Sequence, residues 1–232
     1  MEEQTTASVK HSQAPGPVTS LDDPRAIQIL STEHWSLLTS RSLAYNEAFT
    51  RGGMFLTFLS MSFVALALLA SAMSFGEQFL TIAAIVLAFD FVIGLTTYGR
   101  IMGANEDDLR AVQGMARIRH AYVEIAPLVG QYFTSPTNDD IASIVSTYGQ
   151  TRGNDTLYAF TTSGGMIGLI TAMVAGVFAS VLALMLGASG DLAIWIGAGG
   201  AGVVLITMVR VTFGAVARTQ RELGTMFPAE KS

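Results

Sequence analysis

Hydrophobic positions along this chain fall into four long, nearly uncharged runs separated by polar stretches. Residues 54–75 and 165–188 carry no charge, residues 79–98 carry one, Asp90, and residues 192–209 carry none. At about 1.5 Å of helical rise per residue, each run reaches roughly 27–36 Å, enough to cross a bilayer core of about 30 Å. Helices buried in water-soluble proteins seldom stay apolar on every face for this length. The pattern predicts an all-α integral membrane protein with four transmembrane helices in two hairpins.

The polar stretches show helical periodicity of another kind. Asp22-Asp23-Pro24 supplies a helix start. Beyond it Trp35, Leu38, Ser42, Tyr45 and Phe49 recur at spacings of three and four, a mostly apolar stripe suited to another helix or to the membrane surface. Asn105-Glu106-Asp107-Asp108 reads as the capped, acidic start of a second polar helix, with Asp107-Asp108 and Asp139-Asp140 as solvated acids. There Ala111, Met115, Ile118, Tyr122 and Ile125 form the stripe; Pro127 and Gly130 weaken the helix near its end, and Pro136 stops it. Trp35, Tyr45, Met115, Ile118 and Tyr122 are the expected contacts between the two cytoplasmic helical segments.

The expected organisation is a disordered tail over 1–20, a cytoplasmic amphipathic helix over 21–53 and a first transmembrane hairpin over 54–98. A cytoplasmic helical linker over 99–163, a second hairpin over 164–213 and a C-terminal tail over 214–232 complete it. A short helix near Asn138 and a break at Gly149 are expected within the linker. Gly52-Gly53-Met54 and Gly164-Gly165-Met166 open the two hairpins, and Gly76-Glu77 and Gly190-Asp191 turn them. Such matched landmarks are what an internal duplication would leave, as two parallel repeats about an axis along the membrane normal.

Composition agrees with this picture. Half of the residues are hydrophobic and 13% are charged, against about 25% in an ordinary soluble domain; the mean hydropathy is +0.46. None of the Lys and Arg residues lies in the two hairpin turns, which hold only Glu77 and Asp191. The positive-inside rule therefore puts both termini and the middle segment in the cytoplasm. The acidic, polar first residues do not form a cleavable signal peptide, and the Asn154-Asp155-Thr156 acceptor would face the wrong compartment for glycosylation. The net charge of −5 argues against a nucleic-acid partner, and the absence of Cys removes disulfides and thiolate chemistry.

Candidate chemistry is sparse. Asp90 lies deep in the second run, where an ionised side chain costs about 2.5–3.5 kcal/mol and faces protein or a wet cavity. It is either a proton or cation site or a structural carboxyl bonded to a hydroxyl, with Ser60 and Ser62 at matching depth on the first helix. Arg210, near the end of its span, can snorkel to the interface. Gly164, Gly168, Ala172 and Gly176 recur every fourth residue on the third run, and Ala193, Gly197 and Ala201 on the fourth. Small residues at this spacing let helix backbones approach closely, at the bundle centre or at an oligomer interface. No metalloprotease, nucleophile-elbow, nucleotide-loop or dinucleotide motif occurs, so neither an enzyme nor a cofactor is expected.

The stretch TEHWSLLTSRSLAYNEAFTRGGMFLTFLS, together with EDDLRAVQGMARIRHAYVEIAP, resembles a family of uncharacterised bacterial four-span integral membrane proteins. The resemblance covers residues 25–135 best and implies a bacterial inner membrane, with no activity to carry over. The expected function is non-enzymatic, through self-association or binding of another membrane protein. The alternative is an oligomeric ion or proton channel or transporter with Asp90 in its path.

Overall fold

The computed structural model describes residues 17–148, 162–222 and 224–229. The expected break at Gly149 and the acceptor at Asn154 lie outside the described residues. The elements are α1 (Pro24–Met73), α2 (Glu77–Ile125), a 3-10 turn (Pro127–Tyr132), α3 (Ile141–Ser146), α4 (Ser163–Met185) and α5 (Gly190–Glu222). Four of them, α1, α2, α4 and α5, are long and apolar enough to cross a membrane.

Asp23 caps α1 by accepting the Arg25 amide, with Pro24 in the first turn. α1 runs unbroken through 53/54 for 50 residues and α2 through 98/99 for 49. Each polar helix is the continuation of an apolar one. Asn105-Glu106-Asp107-Asp108 therefore caps nothing and lies in mid-helix. Nothing between Tyr98 and Asn105 stops the helix, and cross-links to α1 on either side, Arg100 to Glu47 and Asp108 to Arg41, hold it in line. α2 ends at Ile125 rather than at Pro136, because Pro127 disfavours helical backbone at Ala126. The expected short helix begins at Ile141, capped by the Asp140 side chain.

Both hairpins turn tightly. Ser74 and Phe75 take the left-handed conformation (φ 51° and 55°) in the first, while Gly76 does not. An edge-on contact between the Phe75 and Phe79 rings, 5.2 Å apart, braces that unfavourable backbone. Gly187, at φ 86°, makes the second turn without a Cβ penalty.

The four long helices form a row rather than a closed bundle: α1 lies on α2, α2 on α4, and α4 on α5. Of the most apolar stretch of each helix, 44% is buried for α4 but only 17% for α5. Within the one chain, α4 is thus interior and α5 ends the row, so of the two expected places for these spans the bundle centre holds only α4. Phe55, Leu59 and Leu66 of α1, Leu87 and Ile101 of α2, and Ile167 and Val174 of α4 make the core.

Small residues set the spacing of the row. A Cβ added at Gly176 would sit 2.8 Å from the Gly197 carbonyl and 2.9 Å from the Ala201 methyl, so α4 and α5 touch backbone to backbone. Ser180 adds a bond to the Ala193 carbonyl across the same seam. Gly168 makes room for the Tyr98 ring and Gly164 for Met102, while Ala172 is buried. The α4 stripe thus serves contacts to α2 and α5 inside one chain. Gly94 of α2, which the stripe does not include, is as tight: a Cβ there would meet Thr171 Oγ1 at 2.6 Å and Phe55 at 2.9 Å.

Candidate functional site

The face that α1 turns to α2 follows one unbroken three-four rhythm: Leu30, His34, Leu37, Arg41, Ala44, Ala48, Gly52, Phe55, Leu59, Ser62, Leu66 and Ala70 are all buried or half-buried. This corrects the expected contact stripe. Trp35 (65%), Leu38 (41%) and Phe49 (63%) are exposed and lie on a flank roughly 100° round the helix from the buried face. Tyr45 is 37% exposed and reaches α2 through its hydroxyl, which donates to Asp108. On α2, Met115 and Ile118 are buried as expected and Tyr122 is half-buried.

Three carboxylates are buried along α2 and the segment after it, each satisfied differently. Asp90 is fully buried among apolar side chains. Ser62 donates to its Oδ1 at 3.0 Å, whereas Oδ2 has no partner. Ser60 is not part of this pair; it is exposed and bonds back to the Leu56 carbonyl. Two residues of helix separate Ser60 and Ser62 by roughly 200°, so both cannot face α2. Chemically the pair offers one buried oxygen that can carry a proton or accept one further donor.

Asp108 lies beyond the apolar length and is 3% exposed, not solvated as expected. Arg41 donates to both of its oxygens, and the hydroxyls of Tyr45 and Tyr148 donate to Oδ2. Burial, then the bond to Asp108, pushes the Tyr148 hydroxyl far above its ordinary value, and burial with the neighbouring Asp108 charge raises Tyr45. Beside this cluster, burial and the Arg119 charge depress His34, whose buried Nδ1 has no partner. Arg119 donates to the Pro136 carbonyl and is itself lowered by burial and by Arg41.

Asp139 is also buried rather than solvated, with its side chain 0% exposed. Arg117 donates to Oδ2 at 2.7 Å, and the main-chain amides of Met226 and Phe227 donate to the same carboxylate. Burial pushes this carboxyl up, but the two amides and the guanidinium outweigh it and hold it below its ordinary value. Asp140 is exposed enough to cap α3, as described above.

A shallow cleft of about 90 Å³ between α1 and α2 is bordered by Glu47, Arg51, Arg100 and Asp107. Glu47 pairs with both arginines, and with Asp107 the two acids balance the two guanidinium groups around the cleft. It is far smaller than the roughly 300 Å³ at which small-molecule sites begin. Among the described residues no group of three His, Asp or Glu side chains could hold a metal ion. Arg210 is exposed near the polar end of α5. No family model, curated protein or solved structure matches this chain.

Neither the α1 face that is buried nor the burial of Asp108 and Asp139 was legible in the hydrophobic pattern. The available signal was the rhythm itself. Extending the register of Phe55, Leu59 and Ser62 backwards by threes and fours leads to Arg41 and His34.

Proposed function

We propose that this is a non-enzymatic protein of the bacterial inner membrane that works by associating with a second copy of itself, both termini and the helical extensions being cytoplasmic. The observation that carries the reading is the exposed apolar flank of α1. Trp35 stands roughly 27 Å beyond Gly53 along one continuous helix, past a headgroup layer of about 5–8 Å. A helix that continues a membrane span in this way cannot lie flat on the lipid, so Trp35 and Leu38 call for a protein surface. Phe49, only about 6 Å beyond Gly53, is where the same flank meets the headgroup layer. In the same register the flank runs on into the apolar length of α1, where Phe63, one residue past buried Ser62, is exposed. Its partner must therefore also cross the membrane and extend from it as an apolar-flanked helix. A second copy, meeting α1 with α1 at the end of the row, meets both requirements. The lack of Lys and Arg in the hairpin turns supports the orientation, and the resemblance to bacterial four-span proteins supports the compartment.

Mass measurement of the full chain in lipid nanodiscs tests this. A dimer that the triple variant Trp35→Glu, Leu38→Glu, Phe49→Glu converts to monomer is expected. A monomer at micromolar concentration, or a dimer indifferent to the three substitutions, overturns the reading.

The unpartnered Asp90 Oδ2 favours a second reading, a proton or cation path through an oligomer. Liposome flux that Asp90→Asn abolishes would support it. Flux unchanged by that substitution, or none from either protein, would remove Asp90 from the function.

A further inference from the structure

After α5 the chain turns back and docks on the flank of α2. The contacts are specific to main chain. Met226 N–H donates to both Asp139 oxygens at 3.0 Å and Phe227 N–H donates to Oδ1 at 2.7 Å. In return Asp139 N–H donates to the Phe227 carbonyl at 3.1 Å. Arg117 and Gln113 of α2 both donate to the Gly224 carbonyl, and the Ala229 amide reaches the Asp140 carboxylate at 3.2 Å. One side chain is read as well: the Phe227 ring stacks on His120, with centroids 3.9 Å apart and planes at 19°.

This is how proteins hold peptides, with main-chain donors and acceptors for affinity and one pocket or ring for specificity. The docked segment itself buries little. Met226 is 64% exposed, and residues 224, 225, 228 and 229 are exposed. Asp139, in contrast, is enclosed. Without the two amides only Arg117 would answer a buried carboxylate, so the site is built for peptide N–H groups. A segment held by charge-assisted polar contacts and one stacked ring, with little apolar burial, is drawn from the weakly held end of a structure and can leave without disturbing the core.

We propose that Asp139, Arg117, Gln113 and His120 form an exchangeable peptide-docking site whose resident ligand is the chain's own 224–229 segment. The ligand it takes in exchange is a segment of a protein partner with two consecutive main-chain N–H groups and an aromatic side chain on the second. Because the resident is tethered to α5, it competes at an effective concentration in the millimolar range and shields the site until a partner displaces it. The site lies on α2 and the segment before α3, apart from the α1 flank, so either proposal can fail without the other.

The test uses the full chain in nanodiscs and a fluorescein-labelled peptide, Gly-Thr-Met-Phe-Pro-Ala. Phe227→Ala weakens the resident and leaves the site whole, so this variant is expected to bind the peptide at least about 10-fold tighter than the native chain. Adding Asp139→Asn or His120→Ala to it should each remove that gain, as loss of a charged hydrogen bond or a stacked ring implies. Equal binding by native chain, Phe227→Ala and the double variants, or none by any, overturns the proposal. A nitroxide on Thr225→Cys, selective in a chain without cysteine, reports the resident directly. It should be immobile in the otherwise native chain and mobile when Phe227→Ala is added. An immobile label in both would overturn the assignment of Phe227 as the ring that is read.

Discussion

Arg41 of α1 and Asp108 of α2, 67 residues apart in the chain, join in a two-pronged ion pair, Nε to Oδ1 and Nη2 to Oδ2. The pair lies outside the apolar length of both helices, yet Asp108 is 3% exposed and Arg41 23%. It is the clasp by which two helices that leave the apolar layer together stay together. Tyr45 and Tyr148 close the remaining carboxylate positions.

Breaking this clasp from one side should be costly, because the Arg41 charge would remain half-buried without its counterion. Asp108→Asn is expected to destabilise the chain by about 3 kcal/mol, read as a fall in thermal midpoint in detergent relative to Arg110→Gln, whose ion pairs are exposed. Equal midpoints would show that the clasp is not a stabilising contact. The phenols add an alkaline signature. Since Tyr45 and Tyr148 are raised in the folded chain, their contribution is complete below the ordinary tyrosine value of about 10 and fades as pH rises above it. Stability should therefore fall above about pH 10 in the native chain, and fall less steeply in Asp108→Asn, where the carboxylate that helps raise the two phenols is gone.

Glycines of the same helix should respond in opposite directions. Gly94→Ala drives a methyl into Thr171 and Phe55 and should cost about 1–3 kcal/mol by overpacking. Gly99→Ala and Gly103→Ala meet nothing within 4 Å and should gain about 0.5–1 kcal/mol from helix propensity. Gly176→Leu belongs with the first class, since its α5 neighbours are backbone and a methyl that cannot swing aside. Similar unfolding midpoints for all four variants would refute the distinction.

The Asp90–Ser62 pair separates loss of one partner from loss of both. Ser62→Ala leaves both carboxyl oxygens unanswered and should destabilise by about 1–2 kcal/mol. Ser62→Ala with Asp90→Val removes both polar groups at similar volume and should restore or exceed native stability. If the double variant proves less stable than Ser62→Ala alone, the carboxyl has a stabilising partner of another kind.

Acid should release the docked segment late. Asp139 is held below its ordinary carboxylate value, so its contribution is complete above about pH 4 and lost only as pH falls through the lower folded value. Arg117, His120, Gln113 and Asp140 also face the segment; of these, Asp140 is likewise lowered, by Ser143 and the Ala229 amide acting against burial. A nitroxide at position 225 should stay immobile from pH 8 to about 5 and become mobile below pH 4. Release near neutrality would contradict the role given to Asp139.

The four apolar lengths, the polar ends and the position of the lone deep carboxyl were all legible in the sequence, because transfer of a long uncharged helix into lipid is a local property of composition. Ser62 was found together with Ser60, but depth alone could not choose between them; the register of Phe55 and Leu59 could. The row of helices and its buried face were not legible, for a related reason. Where one side of a helix meets lipid and the other meets protein, both are apolar, and hydrophobic periodicity loses its contrast. Beyond the apolar length the pattern misled in the opposite sense, pointing to Trp35, Leu38 and Phe49 while Arg41 and His34 faced inward. A charged side chain is buried only when its counterpart arrives, and for Arg41, Asp108 and Asp139 the counterparts come from distant segments. Composition determined that this chain forms four helices able to cross a membrane; which faces meet, and which charges close on one another, was decided by contacts that exist only once those helices stand side by side.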